Sequence, residues 1–91
     1  MSIIETPPAC LNWERVARAG MHPLAIKIVE LIYITDAPMS PREIATELDA
    51  PLGVVSYHVR MVRDRGLVVL DRTETRRGAL GHWYRLADGV A

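Results

Sequence analysis

The chain contains 91 residues, one cysteine and no apolar run long enough to span a bilayer. This length suffices for one small domain. Because Cys10 is the single cysteine, an intramolecular disulfide and a cysteine-built zinc site are excluded. The sequence shows no secretory signal, so we expect a cytoplasmic protein. Eleven basic and eleven acidic side chains cancel overall, but residues 1–50 carry four basic and seven acidic ones, whereas residues 51–91 carry seven and four. This division indicates a basic working surface in the C-terminal half.

Two helices are predicted at the start of the domain, which we expect to span residues 12–91. Before it, residues 1–11 lack apolar periodicity and contain two adjacent prolines, so they are predicted to form a flexible N-terminal arm. Asn12 can cap a first helix with apolar residues at helical spacing. A second helix, over Leu24–Ile34, is apolar on nearly every side. Such a helix lies either at the centre of the core or between the core and a partner subunit.

A helix-turn-helix is predicted over residues 40–66. Ser40 and Glu43 have the spacing of a capping box, which begins a short helix. A longer helix is expected over Pro51–Arg65, because Gly66 can adopt the left-handed conformation that ends a helix. Its inner face is indicated by three valines at helical spacing, Val55, Val59 and Val62.

A two-stranded wing is predicted over residues 67–86, with a turn that contains Gly78 and Gly81. The strands are expected over Leu67–Arg72 and His82–Leu86. Neighbouring strand residues point to opposite faces, so we expect Tyr84 in the core and Trp83 partly exposed. The predicted fold class is therefore α+β, mainly α: a winged helix-turn-helix with two N-terminal helices and a C-terminal wing.

The polar residues off the valine stripe, together with the wing arginines, predict contact with double-stranded DNA. Hydroxyl groups and arginines on the longer helix can meet base edges and phosphates in the major groove, and arginines on the wing can meet the flanking backbone or the minor groove. The candidate DNA-binding residues are Ser56, Tyr57, Arg60, Arg63, Arg76 and Arg77. The alternative is that the helix arginines pair with carboxylates such as Asp64 or Glu47 on a solvated face.

A co-linear set of residues extends over about half of the chain. It consists of Ile44-Ala45-x-x-Leu48, Val55-Ser56-Tyr57-His58-Val59-Arg60-x-Val62, Gly66-Leu67-Val68, and Arg77-Gly78 before Tyr84-Arg85-Leu86. The segment resembles the winged-helix transcriptional regulators of the ArsR type. The resemblance implies a sequence-specific DNA-binding regulator, such as a repressor, that acts as a homodimer on palindromic operators. By position, it places Ser56, Tyr57 and Arg60 toward the major groove and Arg77 on the wing.

The sequence differs from the ArsR pattern in three places. Gly53 and Val54 stand where the family usually has small hydroxyl residues, and the first helix of the motif lacks the paired cysteines of metal sensors. We therefore expect no metal site and no cofactor. Because no helix follows the wing in this sequence, the expected homodimer uses the N-terminal helices within residues 12–34.

Two other functions are compatible with these residues. A winged-helix protein-protein interaction module, or a regulatory adaptor without DNA binding, would use the apolar helix Leu24–Ile34 or the strand with Trp83. A regulatory protein partner is also compatible with the leading function. Recognition of an unusual nucleic-acid form would use Tyr57 and Trp83. No catalytic constellation or glycine-rich phosphate loop is found in the sequence, so an enzyme is not expected. His58 is expected to be a packed, hydrogen-bonded histidine rather than a ligand.

Overall fold

The computed structural model describes residues 11–90, so the predicted arm at residues 1–11 lies outside the described residues except for Leu11, which is buried in the core. The elements are α1 (Trp13–Arg18), α2 (Pro23–Thr35), α3 (Pro41–Leu48), α4 (Leu52–Asp64), β1 (Val68–Arg76) and β2 (Ala79–Leu86). The two strands pair antiparallel. Four helices followed by a two-stranded sheet form a winged helix, as the sequence predicts. None of the described helices combines the length and the apolar character needed to cross a membrane.

The helix starts are set by side chains that satisfy free backbone N–H groups. Asn12 accepts a hydrogen bond from the backbone N–H of Arg15 at 3.1 Å. The predicted capping box at α3 is complete, because Ser40 Oγ accepts from the N–H of Glu43 at 3.2 Å and Glu43 Oε1 accepts from the N–H of Ser40 at 2.9 Å. At α2 the imidazole Nδ1 of His22 accepts a hydrogen bond from the backbone N–H of Leu24, a cap that the sequence pattern did not predict. These local bonds define where each helix begins.

The end of α4 is closed by the predicted left-handed glycine. Gly66 has a φ of 78°, and its N–H donates to the carbonyl of Arg63 at 3.0 Å. The N–H of Leu67 donates to the carbonyl of Val62 at 2.9 Å. This pair of bonds is a Schellman motif, and it turns the chain directly into β1.

The core lies where α2, α3 and α4 meet the base of the wing. Its side chains include Ala25, Ile28, Val29 and Ile32 of α2, Ile44 of α3, the three valines Val55, Val59 and Val62 of α4, and Val68 and Tyr84 of the strands. Four residues of α2 are buried, so this helix contributes a large part of the core. In the last turn of α2, by contrast, the side chain of Ile34 is 67% exposed.

The wing is attached to the helix-turn-helix by backbone pairing. Met39, just before α3, forms an isolated antiparallel bridge with Tyr84, and the two N–H···O bonds between them are both 2.9 Å long. The side chains of both residues are buried. This bridge orients the wing relative to α3 and α4.

Arg15 joins three distant parts of the chain. Its guanidinium donates to the carbonyl of Asp88 at 2.8 Å and to the carbonyl of Gly66 at 2.7 Å. Nearby, the N–H of Asn12 donates to the carbonyl of Val90 at 2.7 Å. The residues after the wing are thereby held against α1 and against the end of α4.

The predicted turn of the wing was too long. The strands extend to Arg76 and resume at Ala79, so only Arg77 and Gly78 remain between them, both with positive φ. Gly81, which the sequence analysis placed in the turn, lies inside β2. A two-residue turn with positive φ at both positions matches the right-handed twist of the strands, and this allows them to pair almost to their ends.

Candidate nucleic-acid interface

The exposed side of α4 is divided by the helix period into an outward face and two flanks. The outward face carries Gly53, Tyr57, Arg60 and Asp64, all of which are exposed. The flank toward the wing carries Leu52, Ser56 and Arg63. The opposite flank carries Val54, His58 and Met61. The buried valine stripe predicted from the sequence holds the helix from behind, so the polar residues face away from the core.

A groove lies between α4, the start of α3 and the wing. Five of the six predicted DNA-binding residues line it, namely Ser56, Arg60, Arg63, Arg76 and Arg77. The sixth, Tyr57, lies outside the groove on the outward face and is 53% exposed. The fold thus brings together residues from α4 and from the wing that are separated by up to 21 positions in the sequence.

The two helix arginines differ in their partners. Arg63 donates to one oxygen of Asp64 through Nε at 3.1 Å and Nη2 at 3.0 Å. The alternative prediction, that the helix arginines pair with neighbouring carboxylates, is therefore confirmed for Arg63. Arg60 makes no ion pair with any residue between 11 and 90, and its side chain is exposed. An exposed pair such as Arg63–Asp64 is worth little and can be exchanged for another anion.

Trp83 is buried, which corrects the expectation that it would be partly exposed. Only 6% of its surface is accessible, because two wing arginines cover its ring. The guanidinium carbons of Arg72 and Arg76 lie 4.9 and 5.2 Å from the ring centroid. These distances are within the range of cation–π contacts.

A bulge in β1 produces this arrangement. Leu70 pairs with Tyr84 and Arg72 pairs with Trp83, so Asp71 is the extra residue. Residues that face each other in an antiparallel pair share one side of the sheet. Without the bulge, the residue opposite Trp83 would be Asp71. The extra residue shifts the alternation of β1 and places arginines, rather than a carboxylate, over the aromatic ring.

Glu74 lies between these two arginines on the same face. It accepts a hydrogen bond from Arg72 Nε at 2.6 Å and another from Arg76 Nη2 at 3.4 Å. The hydrogen bond from Arg72 lowers the pKa of Glu74; burial opposes it, and the positive charges of Arg72 and Arg76 lower the pKa further. The carboxylate is therefore charged at neutral pH, and it aligns both guanidinium groups on the Trp83 ring.

Arg77 occupies the tip of the wing. Its φ of 52° is unusual for a residue with a side chain, and it forms no ion pair within the described part of the chain. The exposed side chain at the tip lines the groove from the side opposite α4. Arg60 and Arg77 are thus two uncommitted cations on opposite walls of the groove.

Within the described residues, His58 contacts other aromatic rings instead of forming the hydrogen bonds that were expected of it. Its centroid lies 4.9 Å from that of His22 and 5.2 Å from that of Tyr57, with Tyr57 edge-on. Burial, and next the charge of His22, lower the pKa of His58. Between residues 11 and 90, no hydrogen bond to its ring is found. The same residues contain no cluster of three or more His, Cys, Asp or Glu side chains that could hold a metal ion.

Several groove residues were absent from the sequence-based candidates. They are Arg42 at the start of α3 and the exposed leucines Leu52, Leu70 and Leu80. Arg42 directly follows the proline of the capping box, a position that could have indicated its place at the start of α3. The leucines carry no such signal, because apolar residues at helix and strand positions are more often buried.

Comparisons with known proteins agree with this architecture. A family model described as a helix-turn-helix domain matches residues 21–71. No curated protein matches the chain. Among solved structures, the chain is similar to reduced HlyU from Vibrio cholerae, with a TM-score of 0.64 and 21% identity over 82% of this chain and 72% of that one. It is also similar to a possible transcriptional regulatory protein (fragment 1–100) from Mycobacterium bovis, with a TM-score of 0.61 and 24% identity over 82% and 76% of the two chains.

Proposed function

The chain belongs to the helix-turn-helix domain family, and on that premise we propose that it is a DNA-binding transcriptional regulator. It binds double-stranded DNA sequence-specifically, with α4 in the major groove and the wing on the flanking backbone or in the minor groove. The possible transcriptional regulatory protein from Mycobacterium bovis shares this fold, which supports the proposal.

One observation carries the proposal: five arginines from three elements line one groove. They are Arg42 of α3, Arg60 and Arg63 of α4, and Arg76 and Arg77 of the wing. Two carboxylates, Glu43 and Glu74, line the same groove, so the lining remains positive. Contact with phosphates needs such a cluster of cations, and overall neutrality of the chain does not prevent it, because the acidic residues are concentrated in the N-terminal half.

The parts of this surface have different roles. Arg60, which has no partner among the described residues, is the candidate for a bidentate contact with guanine, and Ser56 lies one turn before it on the side toward the wing. Tyr57 donates its hydroxyl from the outward face of α4. Arg63, Arg76 and Arg77 hold phosphates, with Arg63 exchanging Asp64 for the DNA backbone.

The finer features of the regulator follow from the resemblance to the ArsR type. We propose a cytoplasmic homodimer that occupies a palindromic operator and represses transcription. Its subunits meet through the N-terminal helices within residues 12–34, where the exposed Ile34 at the end of α2 offers an apolar contact. Sedimentation of the full chain at micromolar concentration tests this dimer directly; a monomer at every concentration would contradict it.

Salt-dependent binding to duplex DNA tests the docking surface. Duplexes selected from a random pool would be titrated with the parent and with Arg60→Ala and Arg77→Gly. Glycine suits the positive φ at the tip, so the second variant removes the charge without disturbing the turn. Each loss of a phosphate contact is expected to reduce the magnitude of the negative slope of log K against log salt by about 0.9. Loss of a guanine contact instead lowers affinity for the selected sequence more than for random DNA.

Arg18→Ala is the matched control. Arg18 is an exposed arginine on α1, paired with Glu14, and its removal changes the net charge by the same amount. Its slope and affinity are expected to equal those of the parent. If both groove variants also bind as the parent does, the docking surface is wrong, and if no duplex is bound even at low salt, DNA binding itself is wrong.

A further inference from the structure

The first turn of α4 exposes apolar side chains at the end of the helix that would enter DNA. Leu52 is 39% exposed and Val54 is 44% exposed. They stand on either side of Gly53, and an added Cβ at Gly53 would have no atom within 4 Å. Two aliphatic side chains therefore border an open gap one residue wide.

This turn carries no hydroxyl group and no capping side chain. The residue before the helix is Pro51, which makes no side-chain cap. The surface that this turn presents is therefore apolar.

Charge around the turn indicates what kind of molecule covers it. Leu52 lines the same groove as Arg42, Arg60 and Arg63, so the apolar turn adjoins a basic surface. A duplex offers both complements, since its backbone is anionic and its major groove presents an apolar group, the C5-methyl of thymine. The N-terminal residues of a recognition helix are the ones that contact base edges.

We propose that Leu52 and Val54 contact thymine methyl groups and so determine part of the sequence specificity, with Gly53 leaving room for the methyl. This inference rests on the proposed function, and it adds a chemical preference that the arginines do not supply. The bound site contains thymines at the positions that face the first turn of α4, and uracil, which lacks only the methyl, is discriminated against there.

Replacement of single thymines by uracil in the selected duplex tests this preference. The parent is expected to bind about fourfold more weakly for each contacted thymine that is replaced, the value of one buried carbon group. Val54→Thr, which replaces one methyl by a hydroxyl of similar size, and Leu52→Ser are each expected to lose the discrimination at the thymine that the altered residue contacts and to keep it at the other. Both sites are exposed, so thermal unfolding should confirm that the variants remain folded.

Val69→Thr is the matched control, because Val69 is a half-buried apolar residue of β1 that does not line the groove. Any change in its affinity should be equal for the two duplexes, with the parent's discrimination retained. If the parent binds both duplexes equally, the inference is wrong while DNA binding stands. If Val54→Thr and Leu52→Ser retain full discrimination, its assignment to this turn is wrong. If no duplex is bound, the proposed function fails, and the inference fails with it.

Discussion

Gly81→Ala is expected to destabilise the protein, although alanine suits a strand better than glycine does. A Cβ at this position would lie 2.7 Å from Cζ3 and 2.9 Å from Cη2 of Trp83, whereas carbon atoms in contact are normally about 3.5–4.0 Å apart. The ring would have to move by roughly 0.8 Å. It is buried and lies under two arginines, so this movement is opposed.

Overpacking of this kind costs about 1–3 kcal/mol. In a domain of this size, 1 kcal/mol corresponds to about 4–8 °C in Tm. Urea and thermal unfolding followed by circular dichroism would measure both quantities. The wing also loses its alignment, because Arg72 and Arg76 follow the displaced ring of Trp83, and weaker DNA binding should accompany the loss of stability.

Gly53→Ala is also a glycine-to-alanine substitution, but it is expected to stabilise the protein. Gly53 lies in α4, and an added Cβ meets nothing within 4 Å. Since glycine is a poor helix former, alanine there is expected to stabilise by up to about 1 kcal/mol. A Gly81→Ala protein as stable as the parent, beside a stabilised Gly53→Ala, would refute the packing of Trp83 on Gly81.

Two further outcomes concern α3 and the imidazole pair. Ser40→Ala removes the acceptor for the N–H of Glu43 and should lower the free energy of unfolding by about 0.5–2 kcal/mol, measured by urea unfolding; no change would mean that the capping box contributes nothing. The pKa of His58 is lowered in the folded state, so on acidification the unfolded chain protonates this side chain at a higher pH than the folded chain does. The free energy of unfolding is therefore highest above about pH 6.5 and falls as the pH drops through the lower folded pKa. His58→Gln should flatten this dependence, and His22→Asn, which keeps a capping side chain, should reduce it; unchanged pH profiles in both would contradict the assignment.

The helix-turn-helix was predictable because its signals are local. The capping box of Ser40 joins residues three positions apart, and the closure at Gly66 joins residues no more than five apart. The valine stripe follows from the helix period alone. Such interactions depend on neighbours in the chain, so their residue types identify the elements before any tertiary contact is known.

The wing was predicted in kind but not in detail. Its strand ends and turn depend on pairing between β1 and β2, which residue types constrain weakly. The bulge at Asp71 places Arg72 and Arg76 on the face of Trp83, where they cover its ring. Alternation along β2 alone does not show that this face is covered, so it gave the wrong exposure for Trp83. The contacts of Arg15 with Gly66 and Asp88 span 51 and 73 positions, beyond the reach of any local pattern.

In the candidate site, too, some features were predictable from the sequence and others depend on the tertiary structure. Residue type and helix period identified Ser56, Arg60 and Arg63 as facing away from the core, and the wing arginines as their companions. Only the tertiary structure decided that Arg60 is uncommitted while Arg63 is paired, and that Tyr57 lies outside the groove. Whether a side chain has a partner depends on which carboxylates the fold brings within reach, and the order of residues along the chain does not specify that distance.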